Sequence, residues 1–78
     1  MEVDPRIANL LTEKLEVEAE LVVPGAALQQ LELDSLAQVE FVDSLQSEFG
    51  VTVDDDEVTG AMTLDEVTEL LRSKGASL

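Results

Sequence analysis

From Ser35 to Phe49 apolar residues recur at helical spacing without a break, and Gly50 follows directly. Leu36, Val39, Val42 and Leu45 form one stripe, and Phe41, Leu45 and Phe49 form an adjacent one. Spacings of three and four residues put such side chains on one face of an α-helix. Glycine readily takes the left-handed conformation that closes a helix, so Gly50 reads as its stop. The pattern predicts a helix over about 35–49, with Phe41, Leu45 and Phe49 in the core. Gln38, Glu40, Asp43, Gln46 and Glu48 fall mostly on its solvent side.

The rest of the chain reads as helices around this one. Ile7, Leu10, Leu11 and Leu15 repeat behind Asp4-Pro5, a cap followed by proline at the first helical position, which predicts a helix over about 5–18. Thr63-Leu64-Asp65-Glu66 forms a capping box, and Leu64, Val67, Leu70 and Leu71 extend it into a helix over about 64–74. After the extended piece Val51-Thr52-Val53, the acids from Asp54 to Glu57 suit the start of a short helix over about 54–60. Negative charge there is worth roughly 0.3–1 kcal/mol.

Residues 19–34 contain the turn dipeptide Pro24-Gly25 and no sustained period, so they read as a long loop pinned by Val22, Leu28 and Leu31. Structureless loops of this length in compact domains tend to be functional, and this one delivers the chain to Asp34-Ser35. No strand alternation, repeat or linker is apparent. The expected fold is all-α: a single domain over residues 1–78, built as a small four-helix antiparallel bundle with a long loop between helices 1 and 2 and a short third helix.

Composition limits what such a domain can do. At 78 residues its core contributes on the order of 3–5 kcal/mol net. The 45% hydrophobic content is too high for a disordered acidic tail, despite a net charge of -14. The chain has no His, Cys, Trp or Tyr, and its amines are Lys14 and Lys74. Without His or Cys there is no Ser-His-Asp or Cys-His pair, no thiolate nucleophile and no preferred zinc ligand, so a non-catalytic protein is expected. Lack of cysteine fits a cytoplasmic setting. The opening residues carry acids and a proline where a signal peptide needs a basic start, and no later stretch is long enough to span a bilayer.

Arg6 and Lys14 lie near the start, Arg72 and Lys74 near the end, and nothing basic occurs between Glu16 and Leu71. The anionic middle repels nucleic acid and anionic membranes and attracts basic protein surfaces. Asp54 and Asp56 have the spacing of the first two ligands of a calcium loop. However, Val58, Thr59 and Asp65 stand where the fifth ligand, the glycine and the bidentate glutamate belong, so no dedicated metal site is expected.

Ser35 admits two readings. Ser35 with Gln38 fits a capping box, in which the hydroxyl accepts a backbone hydrogen bond worth about 1 kcal/mol. Alternatively Asp34 is the cap, which leaves Ser35 at the first helical position with its hydroxyl free at the positive helix end. A phosphate ester is electrostatically favoured there.

The stretch LELDSLAQVEFVDSLQSEF, residues 31–49, resembles the second helix of an acyl carrier protein. The likeness includes Asp34-Ser35-Leu36, then Val39-Glu40, and the ending Leu45, Phe49 and Gly50. Length, acidity and helix order extend it over nearly the whole chain. The resemblance implies that Ser35 accepts 4'-phosphopantetheine from a phosphopantetheinyl transferase, and that the arm's thiol holds acyl or aminoacyl groups as thioesters. It also implies a partner surface of Asp34, Leu36, Val39, Glu40, Asp43 and Glu48, read by basic-surfaced enzymes such as a loading ligase or a ketosynthase. Met62 would lie beside the arm, and the protein would be a monomer.

Two residues depart from the family pattern: Glu32 replaces a frequent glycine two positions before the aspartate, and Asp43 replaces a frequent apolar residue. These departures bear on the subclass rather than on the modification. The Leu-Asp-Ser-Leu form and LQSEFGV resemble discrete carriers of polyketide or nonribosomal pathways, with fatty acid synthesis and D-alanyl transfer as alternatives. A reading from another class is an unmodified acidic interaction module, in which Ser35 has no special role.

Overall fold

Asp4 opens the first helix by accepting the Arg6 N–H on Oδ1 at 2.9 Å, and Pro5 fills the position where a missing N–H costs nothing. In the computed structural model, which describes residues 3–78 apart from the Asp55 side chain, helix α1 (Pro5–Asn9) continues into a wider π-helical turn, Leu10–Lys14. Ile7, Leu10 and Leu11 point into the core.

The helix expected through residue 18 stops at Lys14. Leu15 N–H still bonds the Leu10 carbonyl at 3.2 Å, but Glu16 takes a left-handed φ of 57° and Val17 N–H turns back to the Leu11 carbonyl at 2.8 Å. A left-handed non-glycine residue costs roughly 1–2 kcal/mol. Burial of Val17 beyond the reversal opposes that cost.

The segment that follows is not structureless. It contains two 3₁₀ turns, Ala19–Leu21 and Leu28–Leu31. It is also stitched to the chain entering the last helix: Leu28 N–H donates to the Met62 carbonyl, Gln29 N–H to Gly60, Leu64 N–H to Ala26 and Asp65 N–H to Pro24, all at 2.9–3.0 Å. Leu28 and Leu31 are buried and Val22 is half-buried. These bonds satisfy backbone groups that a bare loop would leave to water. The chain then bends at Glu32, which is itself left-handed with φ 60°.

Helix α2 (Ser35–Phe49) ends where Gly50 adopts φ 66° and donates its N–H to the Gln46 carbonyl at 2.9 Å. Phe41, Val42 and Leu45 are buried in the core. Phe49 is not: it is half-buried at the edge, with the Arg6 guanidinium 4.4 Å from its ring centroid, a cation–π contact. Gln38 and Gln46 also differ from expectation, being half-buried rather than solvent-facing. Each amide serves a backbone group of the 51–58 segment. Gln46 Oε1 accepts Val53 N–H at 3.0 Å, and Gln38 Nε2 donates to the Val58 carbonyl at 3.2 Å.

The expected short third helix over 54–60 is a single 3₁₀ turn, Asp55–Glu57. Glu57 Oε1 caps Asp54 N–H at 3.1 Å, and burial of Val58 immediately afterwards draws the chain inward before a second turn forms. Helix α3 (Leu64–Ser73) has the reciprocal capping box: Thr63 Oγ1 accepts Glu66 N–H at 3.1 Å and Glu66 Oε1 accepts Thr63 N–H at 3.0 Å. It closes through left-handed Gly75 and an Ala76 N–H bond to the Leu71 carbonyl.

The architecture is all-helical, with the third expected helix reduced to one turn. Among the described residues there is no strand, only the isolated bridge between Ala27 and Thr63. Leu64, Val67 and Leu71 of α3 meet Ile7 of α1, Leu11 of the π-helical turn and Phe41 and Leu45 of α2 in one core, sealed by Leu28 and Leu31. The Cα radius of gyration, 11.0 Å, is close to the roughly 11.5 Å of a compact chain this long.

Candidate functional site

The two readings of Ser35 are separated by where the cap bonds go. Asp34 Oδ1 accepts Ala37 N–H at 2.8 Å and the Asp34 carbonyl accepts Gln38 N–H at 2.9 Å, so Asp34 is the cap. Ser35 is the first helical residue. It is exposed, and among the described residues its hydroxyl makes no hydrogen bond. No Ser35 capping box forms, because the Gln38 N–H that the hydroxyl would accept goes to the Asp34 carbonyl. The hydroxyl therefore stands free at the positive end of a 15-residue helix, where N–H groups of the first turn favour an attached anion.

Around it lie side chains that the core does not claim. Leu36 is 69% exposed and Val39 46%, although both share a stripe with buried Val42 and Leu45. Glu40, Asp43 and Glu48 are exposed, and none of them is in an ion pair among the described residues. Three of the four cations are committed elsewhere: Arg6 to Asp4, Arg72 to Glu69 and Lys74 to Glu57. The negative charge of α2 is thus available to a partner.

The candidate residues do not gather in one place. Ser35, Gln38, Val39 and Val42 line an open hollow of about 350 Å³ on the flank facing the 55–59 segment. Glu40 and Asp43 lie on the other flank, in a hollow of about 360 Å³ shared with Lys14, Leu15 and Ser44. Asp34 lines a third hollow, of about 330 Å³, whose wall includes the two left-handed residues Glu16 and Glu32. Glu48 stands apart, about 20 Å along the helix axis from Ser35. Met62 is half-buried against the core and is not part of the lining beside Ser35.

Two features of this site have no local signal in the sequence. Gln38 carries a pattern that also fits a cap, and nothing nearby in the chain says that its amide reaches a carbonyl 20 residues away. The left-handed bend at Glu32 occurs where a glycine would have announced it. Glu57 is paired with Lys74 at 2.9 Å, and among the described residues no group of three or more acidic side chains converges to hold a metal. The Asp55 side chain lies outside the described residues. Lys74, and secondarily Asp54 N–H, hold the Glu57 carboxyl below its ordinary value.

This geometry agrees with what the chain is similar to. The sequence model of the family described as "Phosphopantetheine attachment site" matches residues 5–71. An acyl carrier protein of Desulforapulum autotrophicum is 36% identical over 76 residues, covering 95% of this chain and 99% of that one. The chain belongs to the acyl carrier protein family. Acyl carrier proteins of Thermosynechococcus vestitus and Rhodopseudomonas palustris are 32% and 35% identical over 77 residues, each covering 97% of this chain and 95% and 98% of their own length. No solved structure matches the chain.

The cofactor of this carrier family is covalently attached 4'-phosphopantetheine. A free, exposed hydroxyl at a helix start beside an open hollow fits such a group. Family membership also implies encounters with a phosphopantetheinyl transferase and with biosynthetic enzymes, in a carrying rather than catalytic role. Among the described residues no helix is long and apolar enough to cross a membrane.

Proposed function

We propose that Ser35 is the attachment residue for 4'-phosphopantetheine and that the protein carries acyl or aminoacyl groups between partner enzymes. The observation that supports this most directly is the free, exposed hydroxyl at the first position of α2, with Asp34 taking over the capping bond. The arm supplies the thiol that the cysteine-free chain lacks and holds its cargo there as a thioester. The chain's own part is to present that arm and be recognised.

Recognition runs through Asp34, Leu36, Val39, Glu40 and Asp43, with Glu48 as an outlying contact. Exposed leucine and valine beside unpaired carboxylates suit a partner face that is basic at its rim and apolar at its centre. Such partners are a phosphopantetheinyl transferase, a loading ligase or transferase, and a condensing enzyme of the ketosynthase kind. We place the carrier in the cytoplasm, as a discrete monomer of a polyketide or nonribosomal-type pathway. That assignment leans on the Leu-Asp-Ser-Leu form and on exposed Asp43 at a position where carriers of fatty acid synthesis often have an apolar residue.

The test is intact mass after incubation with coenzyme A and a promiscuous phosphopantetheinyl transferase. Wild type gains one phosphopantetheine and Ser35→Ala gains none. A wild type without added mass refutes the carrier reading and leaves the unmodified acidic module; an alanine variant that gains the arm moves the attachment to another residue.

A further inference from the structure

Lys14 closes the π-helical turn that follows α1, and burial of Leu10 and Leu11 sets that turn against α2. Together with Glu40, Asp43, Ser44 and half-buried Leu15 it lines the open hollow of about 360 Å³ on one side of α2. Arg6, Arg72 and Lys74 are each held by a carboxylate. Lys14 is exposed and, among the described residues, closes on neither Glu40 nor Asp43. An exposed ion pair contributes little against the side-chain entropy that it costs, so these three charges stand side by side in solvent rather than in fixed contact. Among the described residues Lys14 is thus the one cation without a carboxylate partner, and it lies within the acidic face of α2.

We propose that Lys14 is a specificity-determining residue of the partner face: it penalises a partner that brings a cation to the Glu40–Asp43 side of α2 and admits one that brings a neutral or acidic side chain there. The inference rests on Ser35 bearing the arm and on partners meeting α2. An acidic surface by itself attracts basic proteins with little discrimination. Selectivity among them needs a repulsive element beside the attractive ones, and a free ammonium between docking carboxylates is such an element. One ammonium against two carboxylates leaves this hollow with a net charge of -1. A unit charge about 8 Å from a partner's cation changes affinity in water about twofold, and reversing it changes affinity about fivefold.

The test measures transfer from coenzyme A by a promiscuous phosphopantetheinyl transferase with a basic carrier-binding face, in wild type, Lys14→Gln, Lys14→Glu and Arg72→Gln, with modification verified by intact mass. At about 10 mM salt KM falls about twofold in Lys14→Gln and about fivefold in Lys14→Glu while kcat holds, and the differences collapse near 1 M, where the screening length is about 3 Å. Arg72→Gln has the same net charge as Lys14→Gln but lies near the end of α3 and outside this hollow, so it moves KM less. An equal response in Arg72→Gln assigns the effect to net charge and overturns the proposal. Each cation of the transferase face is then changed in turn to glutamate, and at least one such change makes wild type a better substrate than Lys14→Glu. A KM that Lys14→Glu leaves unmoved or raises, or the lack of any change that reverses the order, overturns this inference alone. A wild type that gains no mass overturns the Ser35 assignment and this inference with it.

Discussion

Leu36 and Leu45 sit on one stripe of one helix, and cutting each to alanine removes the same three carbons with opposite expected outcomes. Leu45 is 0% exposed in the core, so Leu45→Ala combines a smaller transfer energy with a cavity and costs about 2–5 kcal/mol. A domain of this size holds on the order of 3–5 kcal/mol in all. The variant therefore keeps at most about 3 kcal/mol and unfolds outright at the upper end of the cost. Leu36 is 69% exposed, and alanine is the better helix former, so Leu36→Ala changes stability by no more than about 0.5 kcal/mol. In urea, with a slope near 1 kcal/mol/M for a small domain, these values become a midpoint lowered by about 2 M or more against one moved by about 0.5 M at most. Circular dichroism at 222 nm through a urea titration reads both. The same samples, assayed for phosphopantetheine transfer, show slowed modification in the folded Leu36→Ala protein if the exposed leucine belongs to the partner face proposed above. Equal midpoint shifts in the two variants refute the division of this stripe into a core half and a docking half.

Two further outcomes follow from the charges. Glu57 has its pKa depressed below the ordinary 4.5 by the Lys74 hydrogen bond first and the Asp54 N–H second. A depressed carboxyl contributes stability above its unfolded value, and that contribution disappears as pH falls through the folded value. Lys74→Gln is accordingly less stable than wild type at pH 7, and the gap between thermal melts of the two begins to shrink as the pH falls below 4.5 and closes only as it falls through the lower folded value of Glu57; a gap that persists when the carboxyl is protonated in both refutes the pairing. Glu40→Lys places a cation on an exposed, unpaired position, so the helical fold is retained while transfer from coenzyme A slows at low salt and recovers in relative terms at high salt. A transfer rate unchanged at low ionic strength removes Glu40 from the docking surface.

Much of the fold can be read in the chain because its signals are local. The spacing of Phe41, Val42 and Leu45, the stop at Gly50 and the Thr63–Glu66 capping box each act within one or two helical turns, where sequence neighbours are also spatial neighbours. The lack of His and Cys is equally local to the sequence, and it moves any thiol chemistry onto a borrowed group.

What only the tertiary structure decided involves groups brought together from afar. Asp34 rather than Ser35 takes the capping bonds, and the side chain of Gln38, the other half of the alternative, reaches the Val58 carbonyl 20 residues on. The π-helical turn after α1 stopped at Lys14 and the chain bent at Glu32 without a glycine at either place. Side-chain burial and the bonds between residues 24–29 and 60–65 hold a conformation that local preference alone would disfavour. The stripe of α2 shows the limit most clearly. Periodicity puts Leu36, Val39, Val42 and Leu45 on one side of a helix, but it carries no information about how far the neighbouring elements reach. Those neighbours cover Val42 and Leu45 and leave Leu36 and Val39 in solvent beside Ser35. The sequence determined the helix and the hydroxyl at its start, and packing from distant residues determined which part of that helix stays exposed.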